Sequence, residues 1–505
     1  MGKLIIKLNK EDNVAVAVEP IMAGDEVIQG LVAIDSIPQS HKIALTDIPK
    51  GAEIRRYNTV IGYAKEDIKK GRWITQFMLD LPVAPGLDDM PFGTNIVTDL
   101  PEPTRQTWMG YRNVQGGPAG TRNILGIITT VQCATGVLNV AVEKIKRELL
   151  PKYPHVDDVV AVNHSYGCGV AINAPEAVIP IRILQNLTHN PNFGGEVMVV
   201  GLGCEKLTPE KLLPSEENNP ENVIILQETP GGFEGMIKAI MNMAETKLAR
   251  LEQRRREELP LSDLVCGFQC GGSDAFSGMT GNPSVGYAAD MIVNGGGTVM
   301  FSEVTEARDG VHLLAARCIN KEVRDKLAAE MAWYDRYLDE GAVDRDANPA
   351  PGNKKGGLAN IVEKSMGSIA KSGSAPIVEV LSPGELPSKK GLIYAATPSN
   401  DFACGTCQLA SGISLHVFVT GRGSTFGLAA APVIKVCTRK ELKEFMPDVI
   451  DVNAGVIATG EATIQEIGQE VFDLILDIAS GIKQPFAEQH KVHNDFCVFN
   501  PAPLT

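Results

Sequence analysis

Three stretches of the chain place a cysteine beside a second side chain able to bind a metal or move a proton. They are Asn163-His164-Ser165-Tyr166-Gly167-Cys168, Gly201-Leu202-Gly203-Cys204-Glu205 and Gln269-Cys270-Gly271-Gly272-Ser273-Asp274. Each follows a short apolar run, the pattern of a buried strand opening into a loop. Thiolate, imidazole and carboxylate together suit iron, manganese or zinc, and three thiols that meet suit an iron–sulfur cluster. Taken singly, each cysteine reads equally well as a small buried hydrophobe. What favours a site is the repetition, because the carboxyl ends of parallel strands share one edge where distant residues can converge. Gly271-Gly272 lets backbone approach a ligand, while Asp274 is open to two readings, metal ligand or helix cap.

A second group is electropositive. Asn353-Lys354-Lys355-Gly356-Gly357, Lys364 with Lys371, and Thr420-Gly421-Arg422-Gly423 put cations in or beside glycine-rich loops whose N–H groups suit oxyanions. A dinucleotide fingerprint is absent at Gly201-Leu202-Gly203, because Lys206 stands where the third glycine belongs. The lone Cys404-Gly-Thr-Cys407 reads as structural. Glu303, after the run Val299–Ser302, is open as ligand or base, and Glu306 and Arg308 beside it can equally form a plain surface ion pair. His41-Lys42 heads a strand, where it can touch a carboxylate or simply be solvated.

The elements that must position these residues fall into three regions. Residues 1–77 alternate in short β-like runs broken by glycine and proline, an all-β domain. Residues 78–108 are proline-rich and aperiodic, an extended linker. Residues 109–260 form a middle α/β domain with apolar runs at 127–131, 159–162, 197–200 and 223–226 and a closing helix, Phe233–Glu258, whose charged end reads as a solvated face. Residues 261–505 repeat the rhythm, with strands expected at 264–268, 298–301, 377–380, 392–396, 415–420 and 433–436. The fold class is therefore α/β with an all-β start and mostly parallel sheets, and no short repeat points to a solenoid.

With 505 residues, 44% apolar and 21% charged, the chain is globular and multidomain. A net charge of −14 argues against nucleic-acid or anionic-membrane partners but leaves room for a small acidic ligand met by local cations. The start Met1-Gly-Lys-Leu lacks a secretory pattern, and Ile6 makes it a poor myristoylation match. No run spans a membrane, and ten scattered cysteines read as reduced thiols, so a cytoplasmic location is expected.

With these residues in view the sequence resembles the galactarate/altronate dehydratase family. The resemblance is carried by Asp12-Asn-Val-Ala-Val, Gly62-Tyr-Ala, Tyr111-Arg112, the three cysteine stretches, Ser302-Glu303-Val304, Asn348 through Gly357 and Thr420-Gly-Arg-Gly423, and so runs the length of the chain. Asn173-Ala-Pro, Trp333-Tyr-Asp and the terminal Phe499-Asn-Pro-Ala-Pro-Leu-Thr lie nearer its galactarate side. The resemblance implies a β-clip domain of the SAF type, a linker, a middle domain and a C-terminal Rossmann-like domain with a metal site. It implies removal of water from an aldarate or aldonate with iron, as Fe2+ or an iron–sulfur cluster, or another divalent metal. On that reading the expected metal ligands are Cys168, Cys204 and Cys270 with His164, Glu205 or Asp274. Lys354, Lys355 and Arg422, with the backbone of Gly271 and Gly272, are expected to hold the substrate. His41, His164 and Lys371 remain open as base or acid, and a homodimer is the expected assembly.

Overall fold

The computed structural model describes residues 4–114 and 116–505. The Met1-Gly-Lys start lies outside them. The first unit is built from short antiparallel strands. Val14–Ala17, buried along its whole length, sits between Ile5–Ile6 and Lys42–Ala44, and Lys42–Ala44 in turn pairs with Trp73–Ile74. A second small sheet joins Glu53–Arg56, Thr59–Ala64 and Leu79–Asp80, so this β unit reaches Asp80 rather than residue 77.

Residues 81–106 form no regular element, yet they do not hang free. Arg345 donates to the Pro82 carbonyl at 2.7 Å, Arg308 to Pro85 at 2.8 Å, and Arg324 to Met90. The extended backbone, having no ladder of its own, satisfies part of its carbonyl set with arginines of the third unit.

The middle unit is a four-stranded parallel sheet. Its strands are β1 (Ile124–Thr129), β2 (Asp158–Val162), β3 (Val199–Gly201) and β4 (Val223–Ile225), in the order β2-β1-β3-β4. Helices α1 (Gln132–Glu148) and α2 (Gly232–Leu251) cover one face through Leu138, Ile145, Ile240 and Leu248. The other face, through Ile128 and Val199, joins the same core as the third unit. The chain leaves α2 at Leu251, seven residues before the expected end, because Glu257–Pro260 pairs with Thr107–Gly110. Arg254 and Arg256 accordingly are not a solvated helix face. Arg254 bonds Asn123 and Asn113, and Arg256 bonds the carbonyls of Met109, Thr121 and Ala479.

The third unit is a seven-stranded parallel sheet: β5 (Val265–Cys270), β6 (Thr298–Phe301), β7 (Ile377–Leu381), β8 (Leu392–Ala395), β9 (Leu415–Thr420), β10 (Val433–Cys437) and β11 (Val452–Asn453). The order is β7-β8-β6-β5-β9-β10-β11. The chain builds outward from β5 in one direction, then returns to β5's other side with β9. That reversal is a topological switch point, where the carboxyl ends of open α/β sheets leave a crevice. Cys270 is the last residue of β5. Beneath the sheet, α3 (Gly281–Asn294) packs on the helix Ile464–Ala479, with Gly468 leaving no space for a Cβ against Tyr287.

Candidate active site

Four strand ends of the third unit meet at the switch point. β5 opens into Gly271-Gly272, β6 into Glu303 and the short helix α4 (Val304–Ala307), β8 into the turn before α6 (Asp401–Ala410), and β9 into Gly421-Arg422. Helix α5 (Ile361–Ser368) and the turn Ile369–Ser372 close the site from the side. Gly272 has φ +62°, and its carbonyl accepts the N–H of Arg422 at 2.9 Å, fixing these two loops against each other. Gly271 passes so close to the Asp401 carboxylate that a Cβ there would lie 2.6 Å from it.

Behind the crevice lies a fully buried charge network. Lys371 Nζ lies 2.6 Å from Glu303 Oε2, 2.7 Å from Ser368 Oγ and 3.3 Å from Cys270 Sγ. Ser368 Oγ donates to Glu306 Oε2 at 3.2 Å, and Lys364 Nζ pairs with Glu306 Oε1 at 2.7 Å. Burial and the neighbouring Glu306 charge push the Glu303 carboxyl up to about 8, against the pull of Lys371. Burial alone would also raise Glu306, but Lys364 and then Lys371 hold it below the ordinary carboxylate range. Lys371 is lifted by Cys270, Glu303 and Glu306 despite its burial. Two carboxyls a turn apart are thus driven to opposite protonation states, the arrangement that separates an acid from a base. Glu303 also sits at φ +82° with Oε1 buried and unpartnered, the kind of backbone strain that folds retain at functional sites.

In front of the network is a cavity of about 620 Å3, within the range of small-molecule sites. Glu306, Lys364, Asp401, Arg422, Asn353 and Gly272 line it. Burial, then the Glu306 charge, pushes Asp401 up to about 6. The cavity therefore holds Arg422, Lys364 beside its partner Glu306, and a carboxyl raised to about 6.

The β domain braces this site. Lys42 Nζ reaches both oxygens of Glu363 on α5, at 2.9 and 3.0 Å, and the Gly357 carbonyl at 2.6 Å. Arg56 pairs with the same carboxylate and donates to Ala275 O at 2.6 Å. All three charged side chains are buried. Gly357 (φ +93°) lies directly on the Ser40 carbonyl, where any Cβ would collide.

Several expected residues stand elsewhere. Cys168, Cys204 and Glu205 follow strands of the four-stranded sheet, whereas Cys270 and Asp274 belong to the seven-stranded one. Among the described residues, the group of potential metal ligands within 4.8 Å of one another is Cys270, Glu303 and Glu306, so the expected mixed set does not form one coordination sphere. Glu205 is used locally, accepting from Thr130 Oγ and from the N–H groups of Leu202 and Gly203. Asp274 accepts from Thr438 at 2.9 Å and from the Phe276 N–H at 3.0 Å, and pairs with Arg439 at 3.2 Å. It caps a turn seven residues before α3 begins rather than that helix. Lys354 and Lys355 line a different pocket with His41 and Trp73, so they do not join Arg422. His41 is engaged there by Trp73 Nε1 and the Lys355 carbonyl, both at 3.2 Å. His164 bonds the Thr129 carbonyl at 2.6 Å, and burial pushes it down to about 4, leaving a neutral imidazole beside a second cleft. Of the three base or acid candidates, Lys371 is the one in the network. Glu306 pairs with Lys364, not with Arg308, which binds Asp335.

The Cys270, Glu303 and Glu306 set does not fit a divalent metal as packed. An ammonium already stands against each carboxyl, Lys364 at Glu306 and Lys371 at Glu303, and burial holds the thiol protonated, up to about 12. The residue missed in the sequence is Asp401. Its signal was the pattern seen at the other strand ends, an apolar run (392–396) followed by a capping polar, Asn400, whose Oδ1 accepts from Phe402 and Ala403.

Three family models match consecutive parts of the chain: the Altronate/galactarate dehydratase SAF domain over residues 3–81, the D-galactarate dehydratase/Altronate hydrolase second domain over 110–252, and the D-galactarate/Altronate dehydratase C-terminal domain over 261–504. The chain is 56% identical to galactarate dehydratase (L-threo-forming) of Escherichia coli (strain K12), over 99% of this chain and 97% of that protein. It is 33% identical to altronate dehydratase of Bacillus subtilis (strain 168), over 95% of each. Identity with the beta subunit of (2R)-sulfolactate sulfo-lyase of Chromohalobacter salexigens is 29%, over 74% of this chain and 93% of that subunit.

Proposed function

The chain belongs to the galactarate/altronate dehydratase family, and we propose that it is the hydro-lyase that converts meso-galactarate to 5-dehydro-4-deoxy-D-glucarate. The observation that carries this reading is the cavity itself, in which Lys364 and Arg422 present two cations beside Glu306 and Asp401. A six-carbon acid with a carboxylate at each end needs two such anchors, and an acid with one carboxylate needs one.

The α-proton of a hydroxy acid is very weakly acidic, so its removal requires fixed positive charge at the carboxylate where enediolate charge grows. Lys364 supplies that charge at one end of the substrate, and Arg422 holds the other end. Asp401, titrating near 6, is a carboxylate at neutral pH and takes the α-proton. The β-hydroxyl departs as water with a proton delivered at Glu306. Ser368 gives Glu306 its hydroxyl proton and takes one from the Lys371 ammonium, and Glu303, its carboxyl raised by burial, then returns a proton to Lys371. The enol product then tautomerises to the 2-keto-3-deoxy acid, while Asp401 loses its proton to solvent and Glu303 regains one. A keto-acid assay under anaerobic, iron-supplemented conditions with galactarate, glucarate and altronate tests the substrate. Turnover confined to altronate overturns the galactarate reading, and binding without product overturns the catalytic one.

A further inference from the structure

We infer that Cys133, Cys168 and Cys204 form a three-thiolate site for an iron–sulfur cluster at the carboxyl edge of the four-stranded sheet. The inference stands apart from the galactarate reading, since these residues lie outside the cavity that carries it. β2, β1 and β3 are adjacent and parallel, so the loops that follow them emerge side by side. Thr129 pairs with Val200, and Cys133 and Cys204 each stand four residues past their own member of that pair. Cys168 stands six residues past Val162, which pairs with Ile128 of the same central strand. Three neighbouring strands thus each lead into a loop or helix start that carries one thiol.

The thiols are available. All three are exposed, as is Cys497 on the C-terminal tail, whereas the other six cysteines are buried. The loops that carry them are tied together, with the N–H groups of Lys206 and Leu207 donating to the Gly167 carbonyl at 2.9 and 3.3 Å. Gly167 (φ +114°) and Gly203 (φ +123°), each next to a ligand cysteine, have backbone that side-chain-bearing residues rarely adopt. Gly167 is also pressed against the Thr130 carbonyl, leaving no space for a Cβ. Cys133 lies in the first turn of the 17-residue helix α1, whose N-cap Val131 provides no side-chain acceptor. The N-terminal end of a long helix favours the negative charge of a thiolate-bound cluster. Gln132, Thr135, Asn163, His164 and Ser165 line a cleft beside this edge. Three cysteines leave one cluster iron without a protein thiolate, free for an oxygen ligand from that cleft.

The test uses the full chain, isolated anaerobically and reconstituted with ferrous iron and sulfide, with iron, acid-labile sulfide and the visible and EPR spectra measured. The expected result is a brown protein carrying roughly four iron and four sulfide per chain, as a [4Fe–4S] cluster requires. Cys133→Ser, Cys168→Ser and Cys204→Ser each lose the absorbance band and the labile sulfide while keeping the wild-type thermal transition, and Cys270→Ser and Cys318→Ser keep the cluster. Iron uptake without labile sulfide, a disulfide among the three thiols after anaerobic isolation, or a band that survives in the triple serine variant overturns the site. Galactarate turnover is scored separately, so loss of the cluster and failure of the substrate reading are distinguishable.

Discussion

Replacing Glu306 by Gln tests the proton network with the least change in shape. The side chain keeps its volume and can still hydrogen-bond Ser368, but it no longer accepts and delivers a proton, and it no longer charges its surroundings. Loss of one general acid–base group costs about 10^2- to 10^4-fold in kcat/KM, or about 3–5 kcal/mol of transition-state stabilisation. The sharper signature is in pH. On the proposed mechanism, proton removal by Asp401 sets the acid limb of the wild-type profile, expected near pH 6, and proton delivery from Glu303 sets a basic limb above the ordinary carboxylate range. In both cases burial raises the carboxyl first and the negative charge of Glu306 raises it next. Removing that charge lowers both values, so the residual activity has its whole bell displaced toward lower pH. Keto-acid formation followed from pH 5 to 10 on wild type and variant reads this directly. A loss of less than about tenfold, with a bell that has not moved, would refute the assignment of Glu306 as the cavity end of the relay.

Three further outcomes follow from the same geometry. Asp401→Asn abolishes the acid limb along with most turnover while leaving galactarate binding measurable by calorimetry; an intact limb near pH 6 would assign it to another group. Arg422→Met removes one charged hydrogen-bond donor worth about 1.5–3 kcal/mol, so galactarate affinity falls about 10- to 150-fold, while a substrate analogue lacking the second carboxylate binds as before. Glu363→Gln leaves Lys42 and Arg56 buried without their anion, at a cost of about 3–5 kcal/mol, seen by calorimetry as a transition lowered by about 6–20 °C. Because Glu363 is held below the ordinary carboxylate range, its stabilisation is present above the unfolded value of about 4.3 and lost as pH falls. An unchanged acid stability curve for the variant would remove Glu363 from that role.

Much of the scaffold was legible because parallel strands buried on both faces read as apolar runs. The expected 264–268, 298–301 and 415–420 correspond to β5, β6 and β9 within two residues. The glycine pair after Cys270 and the cation at Arg422 were legible for the same reason, since they abut strands that announce themselves. What stayed hidden was long-range pairing. Nothing local distinguishes Glu306 with a neighbouring Arg308 from Glu306 with Lys364, 58 residues away, and the choice is made by α5 docking over α4. The convergence of Cys168, Cys204 and Cys270 failed because strand ends share an edge only within one sheet, and sequence does not say which strands share one. For His41-Lys42 the sequence leaves a carboxylate contact and a solvated strand end both open. Lys42 makes a carboxylate contact, but with Glu363 of the same chain.

The buried contact of Lys42 and Arg56 with Glu363 also constrains how this architecture can change over evolution. The first eighty residues and the last two hundred and fifty look like separable modules, and module exchange between relatives is an easy genetic event. Here a graft would succeed only if the incoming β domain brought a matching pair of cations, because an unmatched one would leave a lone carboxylate sealed beneath the helix that carries Lys364. The two segments are therefore bound to be inherited together, and a hybrid gene would be filtered out at folding before its chemistry was ever tried.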